Sequence, residues 1–215
     1  MYLERATAVL EKNYQPFETG FRRISPVQME VAALHYLPAV KGEMIRWWLE
    51  NLDTSEQYRK WHPIKNLDMV WLDRPDGASF LGSTMQIRQE FGGHVWEYRV
   101  SYHDTSEVVD PRALRDSGAS FAYMARYGAL NAPFWVGKSL TVCRDLPDGC
   151  EIRSHYWLGD SGMMDLGPDA DTLSKIIDDD FASSLLAYNI EAMRHLASFL
   201  PQLYSQCYER DTNSE

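Results

Sequence analysis

Between Glu43 and Asn66 the chain reads EMIRWWLENLDTSEQYRKWHPIKN, which holds Trp47, Trp48 and Trp61, three of its seven tryptophans, together with Tyr58, His62 and Asn66. A tryptophan needs apolar cover for its ring and a partner for its indole N–H, so this density predicts the wall of a pocket, with Trp47 and Trp61 in contact with what the pocket holds. Further along, Glu191 and His195 stand four apart, which puts two ligating side chains on one helix face. The same spacing serves an ordinary i,i+4 pair, the commoner use. His195 also lies seven residues after Tyr188, nearly in line with it, and so could reach a cavity's end. His35 alternates with Ala33 and Leu37, which leaves it facing either the pocket or solvent. His62, just before Pro63, reads as structural, since one backbone carbonyl satisfies a buried imidazole. Cys143, Cys150 and Cys207 have no metal-binding spacing, and an odd count fits a reducing, cytoplasmic setting better than secretion.

The 215 residues are enough for one sizeable core, and a single domain from 1 to 208 is expected, with 209–215 as a disordered tail. Twenty-one basic against 31 acidic residues give a net charge of −10 with no basic block, which argues against nucleic acid and anionic membranes as partners. The charged N-terminus does not read as a signal peptide, and no run approaches the ~20 apolar residues of a membrane span.

Apolar spacing predicts a short helix over Tyr2 to Tyr14, a strand from Val27 to Tyr36 and a helix from Lys41 to Leu52. Six β-like segments follow: Asp68 to Leu72, Phe80 to Phe91, Val95 to Tyr102, Phe121 to Tyr127, Trp135 to Arg144 and Cys150 to Leu158. They are separated by turn residues that include two PDG sequences and Gly92-Gly93. A long amphipathic helix, Asp171 to Phe199, capped by Asp169 or Asp171, closes the chain. A curved antiparallel sheet with one long helix over its open face is an α+β arrangement that encloses an apolar cavity. Alternation along the last strand points Ile152, Ser154, Tyr156 and Leu158 one way and Glu151, Arg153 and His155 the other, with Tyr156 inward.

Five segments in order, MIRWWLEN, YRKWHPIKN, EFGG, RDLPDGCEIRSHYWLGD and NIEAMRHLASFLPQLY, resemble the 2,4-diacetylphloroglucinol hydrolase and phloretin hydrolase family, over roughly Val27 to Tyr204. The resemblance implies a helix-grip, Bet v 1-like fold. It also implies hydrolysis of the carbon–carbon bond between an acyl group and a phenolic ring, with a divalent metal held by two histidines and two glutamates. Matched position by position, one histidine falls on Asn66, and a histidine and a glutamate four apart on the last helix fall on Tyr188 and Ala192. The sheet glutamate falls on Glu90 or, as the alternative, on Glu97. Tyr58 and Tyr156 match positions that hold phenolic or acyl oxygens.

An amide, a tyrosine protonated at neutral pH and an alanine are not a zinc site. The resemblance so altered implies no tightly bound metal and no cofactor. Glu90 depends on hairpin length: a two-residue Gly92-Gly93 loop turns it to the polar face beside Arg88 and Glu97, and one residue more brings it inward. Inward, a desolvated Glu90 suits acid–base work, with Asn66, Tyr188 and His195 as companions and Tyr58, Tyr156, Trp47, Trp61 and His35 around the substrate. The reading is an enzyme that cyclises or isomerises a hydrophobic, oxygenated small molecule without metal. Carbon–carbon hydrolysis of acylphenols or β-diketones and non-catalytic carriage of hydrophobic ligands are the alternatives. A homodimer is left open.

Overall fold

In a computed structural model, which describes residues 2–75, 79–131, 134–159 and 170–212, one antiparallel sheet of eight strands wraps a long helix. The N-terminal helix α1 (Tyr2–Val9) precedes strands β1 (Gly20–Ser25) and β2 (Gln28–Pro38). Helices α2 (Gly42–Glu50) and α3 (Ser55–Trp61) lead to β3 (Asn66–Asp73), β4 (Thr84–Phe91) and β5 (His94–His103). A 3-10 turn at Thr105–Glu107 and helix α4 (Pro111–Asp116) come before β6 (Phe121–Gly128), β7 (Gly137–Leu146) and β8 (Gly149–Leu158). Helices α5 (Ala170–Ile176) and α6 (Asp179–Thr212) end the chain. Strand order is β1-β2-β8-β7-β6-β5-β4-β3. No helix among the described residues is long and apolar enough to cross a membrane.

Local chemistry explains the joints. Thr54 caps α3 through a reciprocal box with Gln57, which satisfies two free N-terminal donors at once. Asp110 accepts from the N–H groups of Arg112 and Ala113, and Pro111 takes the first position of α4, where its missing N–H costs nothing. Gly92 and Gly93 have φ of 62° and 73°, the left-handed pair that a two-residue hairpin requires. Phe91 accordingly pairs with His94, and Glu90 with Val95. Pro147-Asp148 likewise closes β7 onto β8, with Leu146 opposite Gly149.

The helix expected from Asp171 to Phe199 is broken. Ile177 and Asp178 separate α5 from α6, and α6 runs on through Pro201 to Thr212, into the segment read as a tail. Of the two cap candidates, Asp169 and the side chain of Asp171 lie outside the described residues, as does most of the first PDG turn. The first helix stops at Val9, and β1, α3 and α4 were not anticipated.

Both faces of the sheet are covered. On the concave face α2 buries Ile45, Trp48 and Leu49 against Leu196 and Leu200 of α6, each burial contributing roughly 1.5–3 kcal/mol. On the convex face Val9, Leu140, Val142 and Trp157 join Val108 and Val109 in a second cluster. Gly159 ends β8 at φ +75°, and an added Cβ would penetrate the Val27 carbonyl. Gly159→Ala is therefore expected to cost at least about 2 kcal/mol in urea unfolding. A loss under about 0.5 kcal/mol would contradict the close approach.

Candidate functional site

Between the concave sheet face and α6 lies a cavity of about 400 Å³ lined by β4, β5, β6, β8, α3, α5 and α6. Seven tyrosines reach it: Tyr58, Tyr98, Tyr102, Tyr123, Tyr127, Tyr156 and Tyr188. Burial raises the pKa of every one, Tyr127 to about 12 and Tyr58, Tyr98, Tyr102 and Tyr156 well above the ordinary range. They are neutral hydroxyls at any physiological pH. The acidic residue in the lining, Glu97, is exposed, and its carboxylate accepts from Gln86 Nε2 at 2.6 Å.

One wall is a directed chain of hydrogen bonds. Asn66 is fully buried and donates Nδ2 to the Tyr58 carbonyl at 2.9 Å, so its Oδ1 faces inward. That oxygen accepts from the Tyr188 hydroxyl at 2.7 Å and from Gln89 Nε2 at 3.3 Å. Gln89 Nε2 also donates to Tyr188 Oη at 2.6 Å, while Tyr98 donates to Gln89 Oε1. The four side chains come from β3, β4, β5 and α6. Tyr58 Oη lies beside Gln89 and Tyr188, yet it is buried without a hydrogen bond of ordinary geometry.

Several sequence candidates meet here and several do not. Tyr58, Trp61, Tyr156 and Tyr188 line the cavity, and Asn66 stands directly behind Tyr188. Glu90 does not: the two-residue hairpin turns it outward, and it is exposed. Trp47 packs edge-on to Tyr204, with ring centroids 5.5 Å apart, away from the cavity. His195 is half-buried beside His62, their ring centroids 5.1 Å apart, and is not in the cavity wall. Its companion Glu191 accepts from His62 Nε2 at 3.0 Å and pairs with Lys65 at 2.5 Å. His62 thus has a structural place, with Nδ1 accepting from the Lys65 N–H and its ring stacked on Tyr188. Burial pushes the His62 pKa down, against the pull of Glu191. His35 is buried one layer back, with Nε2 2.7 Å from Asn189 Oδ1.

Gln89, Tyr98 and Asn189 were missed. Gln89 shares the alternation of Met85, Ile87 and Phe91, so the same hairpin count that expels Glu90 brings Gln89 in. Asn189 interrupts the apolar stripe Leu185, Tyr188, Ala192 and Met193 at i+4 from Leu185, where a polar residue must have a buried partner.

The positions that the resemblance assigns to metal ligands can now be tested against the chemistry present. Asn66, Tyr188 and Ala192 do converge, and the β4 side chain that meets them is Gln89, not Glu90. Two amides, a protonated hydroxyl and a methyl group, with the polar atoms already bonded to one another, do not fit zinc. Among the described residues no three His, Cys, Asp or Glu side chains form a metal-holding group.

A curved sheet gripping a long helix around an aromatic cavity defines a helix-grip protein with room for a small molecule. More specifically, the chain belongs to the family described as "DAPG hydrolase PhiG domain", which matches residues 1–205. It is similar to the 2,4-diacetylphloroglucinol hydrolase of Pseudomonas protegens, at 20% identity over 95% of this chain and 73% of that one. A hydrolase of the same name from a Pseudomonas species is also 20% identical, over 95% and 76%. Among solved structures it resembles the Zhui aromatase/cyclase of Streptomyces, with a TM-score of 0.52 and 9% identity over 80% of this chain and 93% of that one. The di-domain ARO/CYC BexL of the BE-7585A biosynthetic pathway matches with a TM-score of 0.51 and 8% identity, over 81% and 50%. Family and fold together make this a small-molecule enzyme at the coarse level.

Proposed function

We propose that this enzyme cyclises or isomerises a polyketide-like or phenolic molecule by enclosure and hydrogen bonding. The observation that carries this reading is the Asn66–Gln89–Tyr188 chain, which ties up in neutral hydrogen bonds two positions, Asn66 and Tyr188, that the family resemblance assigns to metal ligands. Relatives named for 2,4-diacetylphloroglucinol and fold neighbours named aromatase/cyclase support an oxygenated substrate.

A flexible polyketone folded inside the cavity has its reacting carbons brought together in advance, and effective concentration does much of the work. The unpartnered Tyr58 hydroxyl and the Tyr156 hydroxyl supply hydrogen bonds to a carbonyl as it gains enolate character. Tyr98 and Tyr188, whose hydrogens are engaged in the wall, offer lone pairs to substrate hydroxyls. Against an apolar lining, these neutral contacts count for more than they would in bulk solvent.

Hydrolysis is the second reading, favoured by the names of the curated relatives. Incubation with a panel of acylphenols and β-polyketones, followed by mass spectrometry, separates the two. A product of unchanged mass, formed equally with and without chelator, is expected. Tyr58→Phe and Asn66→Ala should each lower kcat on the order of a hundredfold, and Glu90→Gln should leave it unchanged. Chelator-sensitive release of a small acid would instead establish hydrolysis, and binding without turnover of any panel member would establish a carrier.

A further inference from the structure

What a hydroxyl offers a ligand depends on where its hydrogen points, and in this cavity the amides behind the hydroxyls decide that. On the Gln89 wall the tyrosine hydrogens are used internally, by Gln89 Oε1 and Asn66 Oδ1. Around Tyr156 the order is reversed. Asn189 is 3% exposed and His35 8%. The Asn189 oxygen faces His35 Nε2 at 2.7 Å, so that nitrogen must carry hydrogen and donate. The Asn189 amide then has Nδ2 directed at Tyr156 Oη, again at 2.7 Å. Tyr156 is therefore an acceptor toward Asn189, and its own hydrogen is not taken by another side chain among the described residues. Tyr156 lines the cavity.

We propose that His35 and Asn189 are positioning residues that hold Tyr156 as a hydrogen-bond donor toward the cavity, so that this wall receives a ligand carbonyl or enolate oxygen and disfavours a ligand hydroxyl acting as donor. The inference rests on the reading above that the cavity takes an oxygenated substrate, and it names which end of such a substrate this wall takes. Burial holds the His35 pKa down, with Arg194 acting the same way and the Asn189 hydrogen bond opposing. Neutral as the Nε2–H tautomer or charged, His35 still donates to Asn189, so the polarity of Tyr156 does not invert with pH. An Asn189→Asp substitution does invert it. A carboxylate of the same shape has no hydrogen to give, accepts from His35, and takes the Tyr156 hydrogen for itself.

The test uses two probes of matched shape, 2-acetylnaphthalene with a carbon-13 carbonyl and 2-ethylnaphthalene, with binding followed by quenching of tryptophan fluorescence. The carbonyl stretch of the bound ketone is read by infrared difference spectroscopy. In the unaltered protein the stretch is expected at lower frequency than in Tyr156→Phe. Asn189→Asp should raise it to the Tyr156→Phe value and weaken ketone binding about tenfold, with 2-ethylnaphthalene bound as before. His35→Leu should give part of that loss, and His35→Gln, whose amide can still donate to Asn189, should restore it. If Asn189→Asp fails to fold, the comparison of His35→Leu with His35→Gln decides on the same readout. An unchanged carbonyl stretch in folded Asn189→Asp, or in His35→Leu, with both probes still bound, would overturn this inference alone. Failure of the unaltered protein to bind either probe would overturn it together with the reading it rests on.

Discussion

Protein purified without added metal is expected to contain no stoichiometric zinc or iron, whereas the chain carrying Asn66→His, Gln89→Glu, Tyr188→His and Ala192→Glu together is expected to bind zinc. The four positions already converge. Tyr188 reaches Asn66 at 2.7 Å and Gln89 at 2.6 Å, and Ala192 lines the same cavity one turn along α6. What they lack is donor chemistry, since amides and a hydroxyl with a raised pKa cannot supply the anionic and imidazole ligands that zinc takes. Without metal, the fourfold variant places two carboxylates at the buried positions 89 and 192, a costly arrangement. Its stability should therefore depend on zinc, with unfolding free energy rising by about 4 kcal/mol at a thousandfold excess over Kd. Elemental analysis and thermal unfolding with and without chelator read both halves. Stoichiometric metal in the unaltered protein would sink the first half, and a folded variant indifferent to zinc would sink the second.

That placement was half legible in the sequence. The strand and helix alternations carried the sheet and the inward Tyr156, because period-two and period-3.6 patterns survive divergence to 20% identity, while the family likeness rested on five short motifs in order. Glu90 shows where the reading stopped. Parity along β4 is set by one local feature, the length of the Gly92-Gly93 loop, and a carboxylate attracts attention that the neighbouring Gln89 does not. The tryptophans misled in a different way. Trp47 and Trp48 both pack edge-on against α6, on Tyr204 and Phe199, so aromatic density there reports helix packing. Only Tyr58 and Trp61, on the next helix, reach the cavity. The break at Ile177 and Asp178 left the periodicity intact on both sides, and no proline or glycine marks it. Its effect is to swing Leu173 and Ile177 across the cavity, a tertiary contact that no local signal carries.

Arg153→Leu is expected to lower the unfolding free energy by about 3–5 kcal/mol, although Arg153 is remote from the cavity. It is 1% exposed on the convex face of β8. Its guanidinium pairs with Glu18 at 2.9 Å and Glu151 at 3.7 Å, and it donates to the carbonyls of Glu11 and Asn13. Arg144 does the same for Leu10 and Glu151, so two arginines hold residues 9–18 over the sheet. Leucine would leave the largely buried Glu18 carboxylate, which keeps only the Gln15 N–H, without its counter-charge and the Glu11 carbonyl without its arginine donor, which costs more than the pair itself contributes. Glu30, 2% exposed nearby, adds a pH dependence of known sign. Burial pushes its pKa up, but the His155 and Arg22 side chains at 3.5 and 2.6 Å outweigh that and hold it below the ordinary 4.5. A folded-state pKa below the unfolded one stabilises above about pH 4.5, and that share is lost as pH falls through the folded value. Urea unfolding from pH 7 to pH 3 should show a steep acid limb in the unaltered protein and a shallower one in Glu30→Gln, whose neutral amide has no charge to lose. An Arg153→Leu loss under about 1 kcal/mol, or identical acid limbs with and without Glu30, would mean that the convex-face network is surface decoration and that α1 is held by its apolar contacts alone.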